Sequence, residues 1–215
     1  MQQLRHASAQ NVLTVIYGEG TRENPTIKGN PPKQRWGMSH SYQYASPLGK
    51  LLLEADQEAV YRVEFLFDKN GTKKIDDECR AKLVEDCSDC KPLQLCVQWL
   101  DAYFEQDRNK VIPPLPPVRF TSPSLFFEKV WRVMMATKVG ETVTYGELAA
   151  RVGRPRAARA VGQAVRSHHL PILVPCHRVL YAGGKRNRGV GNYSGGHGPD
   201  TKKWLLDHEE VRGSA

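Results

Sequence analysis

The chain has 215 residues, of which 40% are hydrophobic, and this is enough to bury the core of one or two domains. The five cysteines are an odd number and no apolar signal segment opens the chain, so we expect a reducing intracellular compartment, either nucleus or cytoplasm. No stretch approaches the ~18 apolar residues that a membrane span needs, which excludes a transmembrane protein.

The excess positive charge lies in the carboxy-terminal half of the chain. From Val118 onward there are sixteen Lys and Arg residues against seven Asp and Glu, whereas the preceding part is nearly neutral. Because the neutralisation of phosphates supplies most of the sequence-independent affinity for nucleic acids, this asymmetry favours a polyanionic partner for one domain. The alternative is a basic surface that only keeps the protein in solution.

A proline-rich segment divides the chain into two predicted domains. Residues 1–39 are polar and rich in glycine and proline, which predicts a flexible tail. Residues 40–110 contain short β-prone runs and then a helical pattern over 93–104, which predicts a small antiparallel sheet with one packed helix. Four prolines within 111–117 exclude a helix or a central strand, so this segment is interpreted as the linker to a domain at 118–212.

The second domain has the pattern of a mainly helical fold. Ser124 opens a first helix, and Thr144 with Glu147 three residues later predicts a capping box for the next one. That helix is expected to end at Gly153. Pro155 is well placed in the first turn of a third helix. Two short helices that are joined at Gly153 predict a helix-turn-helix.

The second helix of this motif has the features of a helix that approaches DNA. Its small residues, Ala164 among them, predict a slender outer surface that can enter a groove. There are five arginines between positions 151 and 166. The alternative is an ordinary core helix with solvated arginines, but the charge favours DNA contact. We expect the contacts to come from Arg154, Arg156, Ala157, Arg159 and Arg166.

A cysteine with a histidine and an arginine as its next neighbours follows the apolar, strand-like run 171–175. A free cysteine has a pKa of about 8.5, so a nucleophile needs a nearby base or positive charge, and His177 and Arg178 are interpreted as those groups. Successive side chains of a strand point to opposite faces, so contact between Cys176 and His177 requires a turned backbone or a bridging water. The alternative is a buried structural cysteine.

Five short motifs point to one known family. They are Pro-Cys-His-Arg-Val at 175–179, Gly-Asn-Tyr-Ser-Gly-Gly at 191–196, Val-Thr-Tyr-Gly-Glu-Leu-Ala at 143–149, Arg-Ala-Ala-Arg-Ala-Val-Gly at 156–162 and Trp-Leu-Leu-Asp-His-Glu at 204–209. Together they resemble the signatures of the O6-alkylguanine-DNA alkyltransferases, or methylated-DNA–protein-cysteine methyltransferases. The resemblance implies an α/β two-domain fold, in which a small ribonuclease H-like antiparallel sheet with a helix precedes a mainly helical domain with a winged-helix-type helix-turn-helix.

The resemblance also implies direct-reversal DNA repair. The Cys176 thiolate would take the O6-alkyl (methyl) group of a guanine in duplex DNA and keep it as a thioether, so that each protein molecule reacts once and needs no cofactor. The target base would be flipped out through the minor groove. The implied partner is double-stranded DNA bearing O6-alkylguanine, with O4-alkylthymine as a second lesion, and the protein would act as a monomer.

Individual residues receive roles from the same resemblance. His177 would take the thiol proton through water, Glu209 would orient its imidazole, and Tyr145 would donate a proton to the departing base. Arg159 would fill the space that the flipped base leaves, while Arg166 would meet a phosphate. The residues that would form the substrate pocket are Tyr145, Val179, Tyr193 and Ser194.

Two other functional classes compete with this interpretation. A Cys–His–Glu set also describes thiol hydrolases, although a hydrolase has no need of the helix-turn-helix directly upstream. A non-enzymatic sensor of alkylated bases would lack the reactive cysteine, and Cys176 is present. Mass spectrometry after mixing the protein with alkylated DNA separates the three.

The chain departs from the family pattern at several positions. His168 and His169 stand where the family usually has asparagine and proline, and a histidine makes only one of the backbone bonds of that asparagine at a time. Some members hold a structural zinc, but here one Cys-x-x-Cys pair at 87–90 has no second pair, so we expect free thiols and no metal. For the basic residues at 185–188, a phosphate contact and a solvated loop both remain open.

Overall fold

The structure is a computed structural model. All the residues that it describes belong to one compact unit, residues 36–215. Within the described residues no helix is long and apolar enough to cross a membrane. The predicted tail, apart from its last residue, and the basic loop at 185–188 lie outside them. The described residues are 39–68, 71–72, 87–105, 111–122, 124–182 and 190–213.

An antiparallel sheet forms the first part of the fold. Its strands are β1 (His40–Ser46), β2 (Gly49–Ala55) and β3 (Val60–Phe65), in the order β1-β2-β3. All residues of the central strand from Leu51 onward are buried, as a strand covered on both faces requires. A short ribbon of two strands follows, β4 (Phe67–Asp68) and β5 (Gly71–Thr72).

One helix packs against this sheet, as the sequence predicts. Helix α1 (Lys91–Phe104) has Pro92 in its first turn, where the missing N–H removes no helical hydrogen bond. Leu93, Cys96, Leu100 and Tyr103 recur at a spacing of three or four residues and are completely buried.

The proline-rich segment leads directly into a contact with the sheet. Residues 111–117 contain neither helix nor strand. The backbone N–H of Val60 donates to the carbonyl of Pro117 at 2.9 Å, and that of Arg119 donates to the carbonyl of Val60 at 2.9 Å. Val118 therefore pairs in parallel with the start of β3, and this anchors the chain before it enters the helical part.

The rest of the chain is mainly helical, as expected. Two short strands in this part pair in parallel, β6 (Val143–Thr144) and β7 (Val179–Leu180). Trp131 is buried between helices and its Nε1–H donates to the carbonyl of Ala164 at 2.7 Å. The helices are α2 (Leu125–Met135), α3 (Tyr145–Arg151), α4 (Ala158–Ser167) and α5 (Pro199–Gly213).

Helices α3 and α4 form the predicted helix-turn-helix. The Thr144 hydroxyl accepts a hydrogen bond from the backbone N–H of Glu147 at 3.1 Å, and the Glu147 carboxylate accepts one from the backbone N–H of Thr144 at 2.6 Å. This is the predicted capping box. Gly153 follows the helix with φ of +78°, a left-handed conformation that costs glycine little.

Two details of the second helix differ from the sequence prediction. The sequence places Pro155 in the first turn of the helix, but α4 begins only at Ala158, because the backbone N–H of Ala157 bonds to the carbonyl of Arg154 and closes a separate turn. Ala164, expected on the outer surface, is fully buried because the helix turns this side toward Trp131.

Candidate active site

The apolar residues before Cys176 form a turn and not the strand that their sequence predicts. The backbone N–H of Val174 donates to the carbonyl of Leu170 at 2.8 Å, and Ile172 has φ of +73°. This conformation costs a residue with a Cβ about 1–2 kcal/mol, which the complete burial of the Ile172 side chain offsets. The chain then enters a 3-10 turn at Cys176–Arg178, so the turned backbone that a cysteine-histidine site requires is present.

The carboxylate of Glu209 on α5 gathers the buried polar groups around this turn. His177 Nε2 donates to Glu209 Oε1 at 2.7 Å, and the Tyr103 hydroxyl donates to the same oxygen at 2.8 Å. Arg178 donates through Nε to Oε2 at 2.8 Å and through Nη2 to Oε1 at 2.9 Å. Burial alone would raise the pKa of Glu209, but His177 and Arg178 hold that pKa well below its ordinary value.

The ionised Glu209 determines which nitrogen of His177 carries the proton. Because a carboxylate only accepts hydrogen bonds, Nε2 is the protonated nitrogen and Nδ1 is the acceptor. Nδ1 is buried and has no hydrogen-bond partner within the described part of the protein. Burial lowers the pKa of His177, and Glu209 acts in the opposite direction. The imidazole is therefore neutral at rest, with a free basic nitrogen.

Cys176 is a thiol in the resting site. Burial raises its pKa to about 11, while Lys202 and then the Tyr193 hydroxyl act in the opposite direction. The Tyr193 hydroxyl faces the thiol without a well-formed hydrogen bond and has no other partner among the described residues. The interpretation of Arg178 as the activating charge is wrong, because its guanidinium is bonded to Glu209.

Lys202 supplies a positive charge that acts on the thiol. This lysine of α5 is 2% exposed, and its Nζ donates to the carbonyl of Val179 at 2.8 Å. Burial lowers the pKa of Lys202 to about 8, and Cys176 opposes that shift. A buried ammonium near a cysteine stabilises the thiolate over the thiol.

Cys176 borders two cavities. One, of about 640 Å³, lies beside α4 and is also bordered by Tyr145 and Arg159. The other, of about 610 Å³, lies beside β3 and is also bordered by Phe65 and His168. The residues that border both cavities are Val165, Arg166, Cys176, Tyr193 and Ser194.

The structure brings most of the predicted pocket residues together. Tyr145, Tyr193 and Ser194 border the cavity beside α4. Val179 borders neither cavity and is buried in β7, where its carbonyl holds Lys202.

Gly195 keeps the cavity beside β3 open. A Cβ at this position would lie 2.8 Å from Phe65 Cε2 and 2.8 Å from Tyr193 Cε1, so any larger residue must displace one of these rings. The backbone N–H of Val63 also donates to the carbonyl of His169 at 2.8 Å. The sheet is thus bonded directly to the segment that precedes Cys176.

The residues expected to contact DNA lie on one exposed stretch. Arg154 and Arg156 occupy the turn before α4, Arg159 and Arg166 lie on α4, and all four are exposed. Ala157, at the start of α4, is partly buried. Within the described part of the chain none of the four arginines forms an ion pair, so their charges remain available to an anion.

Two family models match the chain. The ribonuclease-like domain of 6-O-methylguanine DNA methyltransferase matches residues 40–117, and the DNA binding domain of the same family matches residues 125–211. The methylated-DNA–protein-cysteine methyltransferase of Rattus norvegicus is 39% identical, over 77% of this chain and 79% of its own. The Homo sapiens protein of that name is 38% identical over 78% of each. The chain belongs to this methyltransferase family.

A solved structure agrees with this assignment. Mycobacterium tuberculosis OGT in complex with DNA matches with a TM-score of 0.63 at 30% identity, and the match covers 80% of this chain and 94% of that one. The family, the fold class and the enzyme class implied by the motifs are thus confirmed: this is a methylated-DNA–protein-cysteine methyltransferase fold, with a small antiparallel sheet and a helical part that carries the helix-turn-helix.

His168, which stands where the methyltransferase family usually has asparagine, makes a defined hydrogen bond in the structure. His168 joins α4 to the turn before Cys176, and its Nδ1 accepts a hydrogen bond from the backbone N–H of Leu170 at 3.2 Å. Burial lowers the pKa of His168 to about 3, and the nearby His169 and His177 add to the shift. The ring is therefore neutral and makes the single acceptor bond that a histidine can offer here.

The cysteines of the methyltransferase sheet region are thiols. Cys90 and Cys96 are buried, Cys87 is partly buried, and none of them is in a disulfide. The Cys90 thiol donates to the carbonyl of Asp56 at 3.4 Å. In the part of the chain that the structure describes, no three ligating side chains converge on one point. Cys79 lies outside the described residues.

Sequence reasoning does not predict the roles of three residues of this site. It interprets Arg178 as an activating charge for Cys176, whereas the structure pairs Arg178 with Glu209, and it does not mark Lys202 or Tyr103 as site residues. Lys202 shares the inner face of α5 with Leu205, Leu206 and Glu209, and a lysine on an apolar helix face is the signal that would have found it. Tyr103 has no such signal, because it continues the apolar face of α1 as any core aromatic residue would.

Proposed function

We propose that this protein repairs O6-alkylguanine in double-stranded DNA by direct reversal and transfers the alkyl group, once and irreversibly, to Cys176. The observation that carries the proposal is the position of Cys176 at two cavities, beside a His177–Glu209 pair whose basic Nδ1 is buried and accepts no hydrogen bond from the described residues. O4-alkylthymine is a second lesion class. The protein acts as a monomer in the nucleus or cytoplasm, without a cofactor.

The proton of Cys176 leaves as the alkyl group arrives. A thiol pKa of about 11 and the lowered pKa of His177 both favour the neutral thiol and imidazole at rest. The proton therefore passes from Sγ through a water to His177 Nδ1 while the S–C bond forms. Glu209 stabilises the resulting imidazolium, and Lys202 stabilises the negative charge on sulfur.

The departing guanine needs a proton in return. As Sγ bonds to the alkyl carbon, the O6–C bond breaks and its electrons remain on the base. Burial raises the pKa of Tyr145, so its hydroxyl stays protonated and can donate to that base. Ser194, which borders the same cavity, holds O6. The proton on His177 then returns through solvent to restore Tyr145.

The target base reaches Cys176 only outside the helix stack. The cavity of about 640 Å³ beside α4 lies within the ordinary range of small-molecule sites, about 300–1,000 Å³, and can hold a flipped nucleobase. Arg159 fills the vacated space from the minor groove. Arg166, Arg154, Arg156 and the slender start of α4 at Ala157 meet the DNA backbone.

The two predicted domains have different functions. Residues 118–212 bind DNA and accept the alkyl group, and residues 40–110 form the supporting sheet domain, with 111–117 as the linker between them. This division rests on the positions of Cys176 and of the basic helix α4, which both lie beyond the linker.

The mass of the intact protein tests the proposal. After incubation with duplex DNA that contains O6-methylguanine, we expect one methyl group per protein molecule, located on the Cys176 peptide, and no second turnover. Cys176→Ser should remain unmodified, while Cys87→Ser, which removes another partly accessible thiol, should react normally. Multiple turnovers, or an unmodified Cys176 peptide after repair, would contradict the proposal and favour a hydrolase.

A further inference from the structure

We propose that Tyr103 is a positioning residue of the alkyl-transfer site and that it ties helix α1 to the His177–Glu209 pair. Tyr103 and Glu209 are 106 positions apart, and the bond between them is fully buried. The role of Tyr103 in the reaction rests on the proposed function, whereas its effect on His177 is measurable without DNA.

Tyr103 is held rigidly against α5. Its hydroxyl donates to Glu209 Oε1 at 2.8 Å, and its backbone carbonyl accepts from His208 Nε2 at 2.7 Å. Its ring stacks on Trp99 with centroids 5.0 Å apart and an interplanar angle of 12°. Because its backbone, its ring and its hydroxyl are all held by contacts, Tyr103 helps to define where Oε1 lies.

Glu209 Oε1 links Tyr103 to His177, the residue that takes the proton of Cys176. Oε1 accepts from Tyr103, His177 and Arg178, so each donor takes up part of the same negative charge. Burial raises the pKa of Tyr103 well above its ordinary value, and Glu209 adds to this, so the hydroxyl stays protonated and donates to Glu209 at neutral pH. Tyr103 therefore moderates the pull of Glu209 on the His177 proton.

A purely structural tyrosine would behave differently. Any buried hydroxyl needs one acceptor, and its loss lowers stability wherever it lies. The hydroxyl of Tyr103 shares its acceptor oxygen with the imidazole that takes the Cys176 proton. Its removal should therefore change the charge that His177 experiences, in addition to the stability of the fold.

Tyr44 offers a matched control. Its hydroxyl donates to Asp101 Oδ1 at 2.8 Å, again a tyrosine bonded to a carboxylate in the amino-terminal half. Tyr44→Phe and Tyr103→Phe remove the same atom from the same kind of bond. Only the second bond involves Glu209.

The experiment compares these two variants in the full chain. We expect Tyr103→Phe to move the NMR resonance of the His177 Nε2 proton and to raise the pKa of His177 by about half a unit to one unit, because Oε1 regains negative charge. We also expect methyl transfer at neutral pH to slow by about threefold to tenfold, because Oε1 loses a fixed donor. Tyr44→Phe should change neither quantity.

An unchanged His177 resonance in Tyr103→Phe overturns the inference. If that variant does not fold, 3,5-difluorotyrosine at position 103 keeps the ring and strengthens the donor, so the pKa of His177 should fall, and no change overturns the inference. If the unmodified protein takes no methyl group from DNA, the proposed function fails, while the His177 resonance still decides whether Tyr103 acts on it.

Discussion

Arg178 and Glu209 are joined by two parallel hydrogen bonds in a site with almost no access to solvent. Nε lies 2.8 Å from Oε2 and Nη2 lies 2.9 Å from Oε1, and the two side chains are only 6% and 1% exposed. Nη1 of the same guanidinium donates to the carbonyl of Thr137 at 2.6 Å. A bidentate pair fixes the plane of the carboxylate, and with it the direction from which Oε1 meets His177.

Loss of this arginine should be costly to the fold. Arg178→Leu leaves the Glu209 charge buried without its bidentate guanidinium partner, and we expect the free energy of unfolding to fall by about 3–5 kcal/mol, measured by urea denaturation. The control is Arg151→Leu, which breaks an exposed pair with Glu141 and should cost about 0–1 kcal/mol. Similar losses in the two variants would show that Arg178 is not a structural counter-ion.

Neighbouring lysines on α5 should differ sharply in their effect on Cys176. Lys202→Met removes the buried ammonium, so the pKa of Cys176 should rise further and its rate of alkylation by iodoacetamide near neutral pH should fall about tenfold, the equivalent of one pKa unit. Lys203→Met is the control, because Lys203 is exposed and paired with Asp207. An equal effect of both substitutions would show that Lys202 does not act specifically on the Cys176 thiol.

The stability of the protein should depend on His168 in mildly acid solution. The pKa of His168 is lowered from 6.5 to about 3 in the folded protein. Between these two pH values the unfolded chain therefore binds a proton at His168 that the folded protein does not bind. The stability that this group contributes is therefore present above pH 6.5 and is lost progressively as the pH falls toward 3.

Two substitutions test this pH dependence. His168→Asn keeps an acceptor for the backbone N–H of Leu170 but does not titrate, so the decline of unfolding free energy between pH 6.5 and 4 should become shallower. His169→Asn removes only one neighbour that helps to lower the pKa of His168, so it should change this decline far less than His168→Asn does. Urea denaturation at a series of pH values measures both. The same slope in His168→Asn and the unmodified protein would place the acid sensitivity elsewhere.

Local sequence signals predicted the elements but not the contacts between them. The capping box of Thr144 and Glu147 spans four residues, so the sequence alone places the start of α3. The turn at Ile172, in contrast, cannot be predicted from the local sequence. Its apolar residues favour a strand, and only burial of the Ile172 side chain stabilises the left-handed backbone. The bond from Tyr103 to Glu209 depends on how two distant helices pack, which no local pattern records.

The last prediction separates base flipping from chemistry. Arg159 is exposed, borders the cavity beside α4 and forms no ion pair in the described part of the chain. Because flipping costs a few kcal/mol, Arg159→Ala should slow single-turnover repair of duplex O6-methylguanine by about tenfold to a hundredfold. Its reaction with the free O6-alkylguanine base, which needs no flipping, should stay within about twofold of the unmodified protein.

An exposed arginine outside the cavity serves as the reference for this comparison. Arg132 of α2 lies over the ring of Phe120 and borders neither cavity, so Arg132→Ala should leave both reactions unchanged. If Arg159→Ala slowed the duplex and the free base equally, the arginine would act on the chemical step or on the shape of the cavity. A loss confined to the duplex that persists at low salt would exclude simple weakening of DNA binding, because that electrostatic contribution becomes stronger as salt falls.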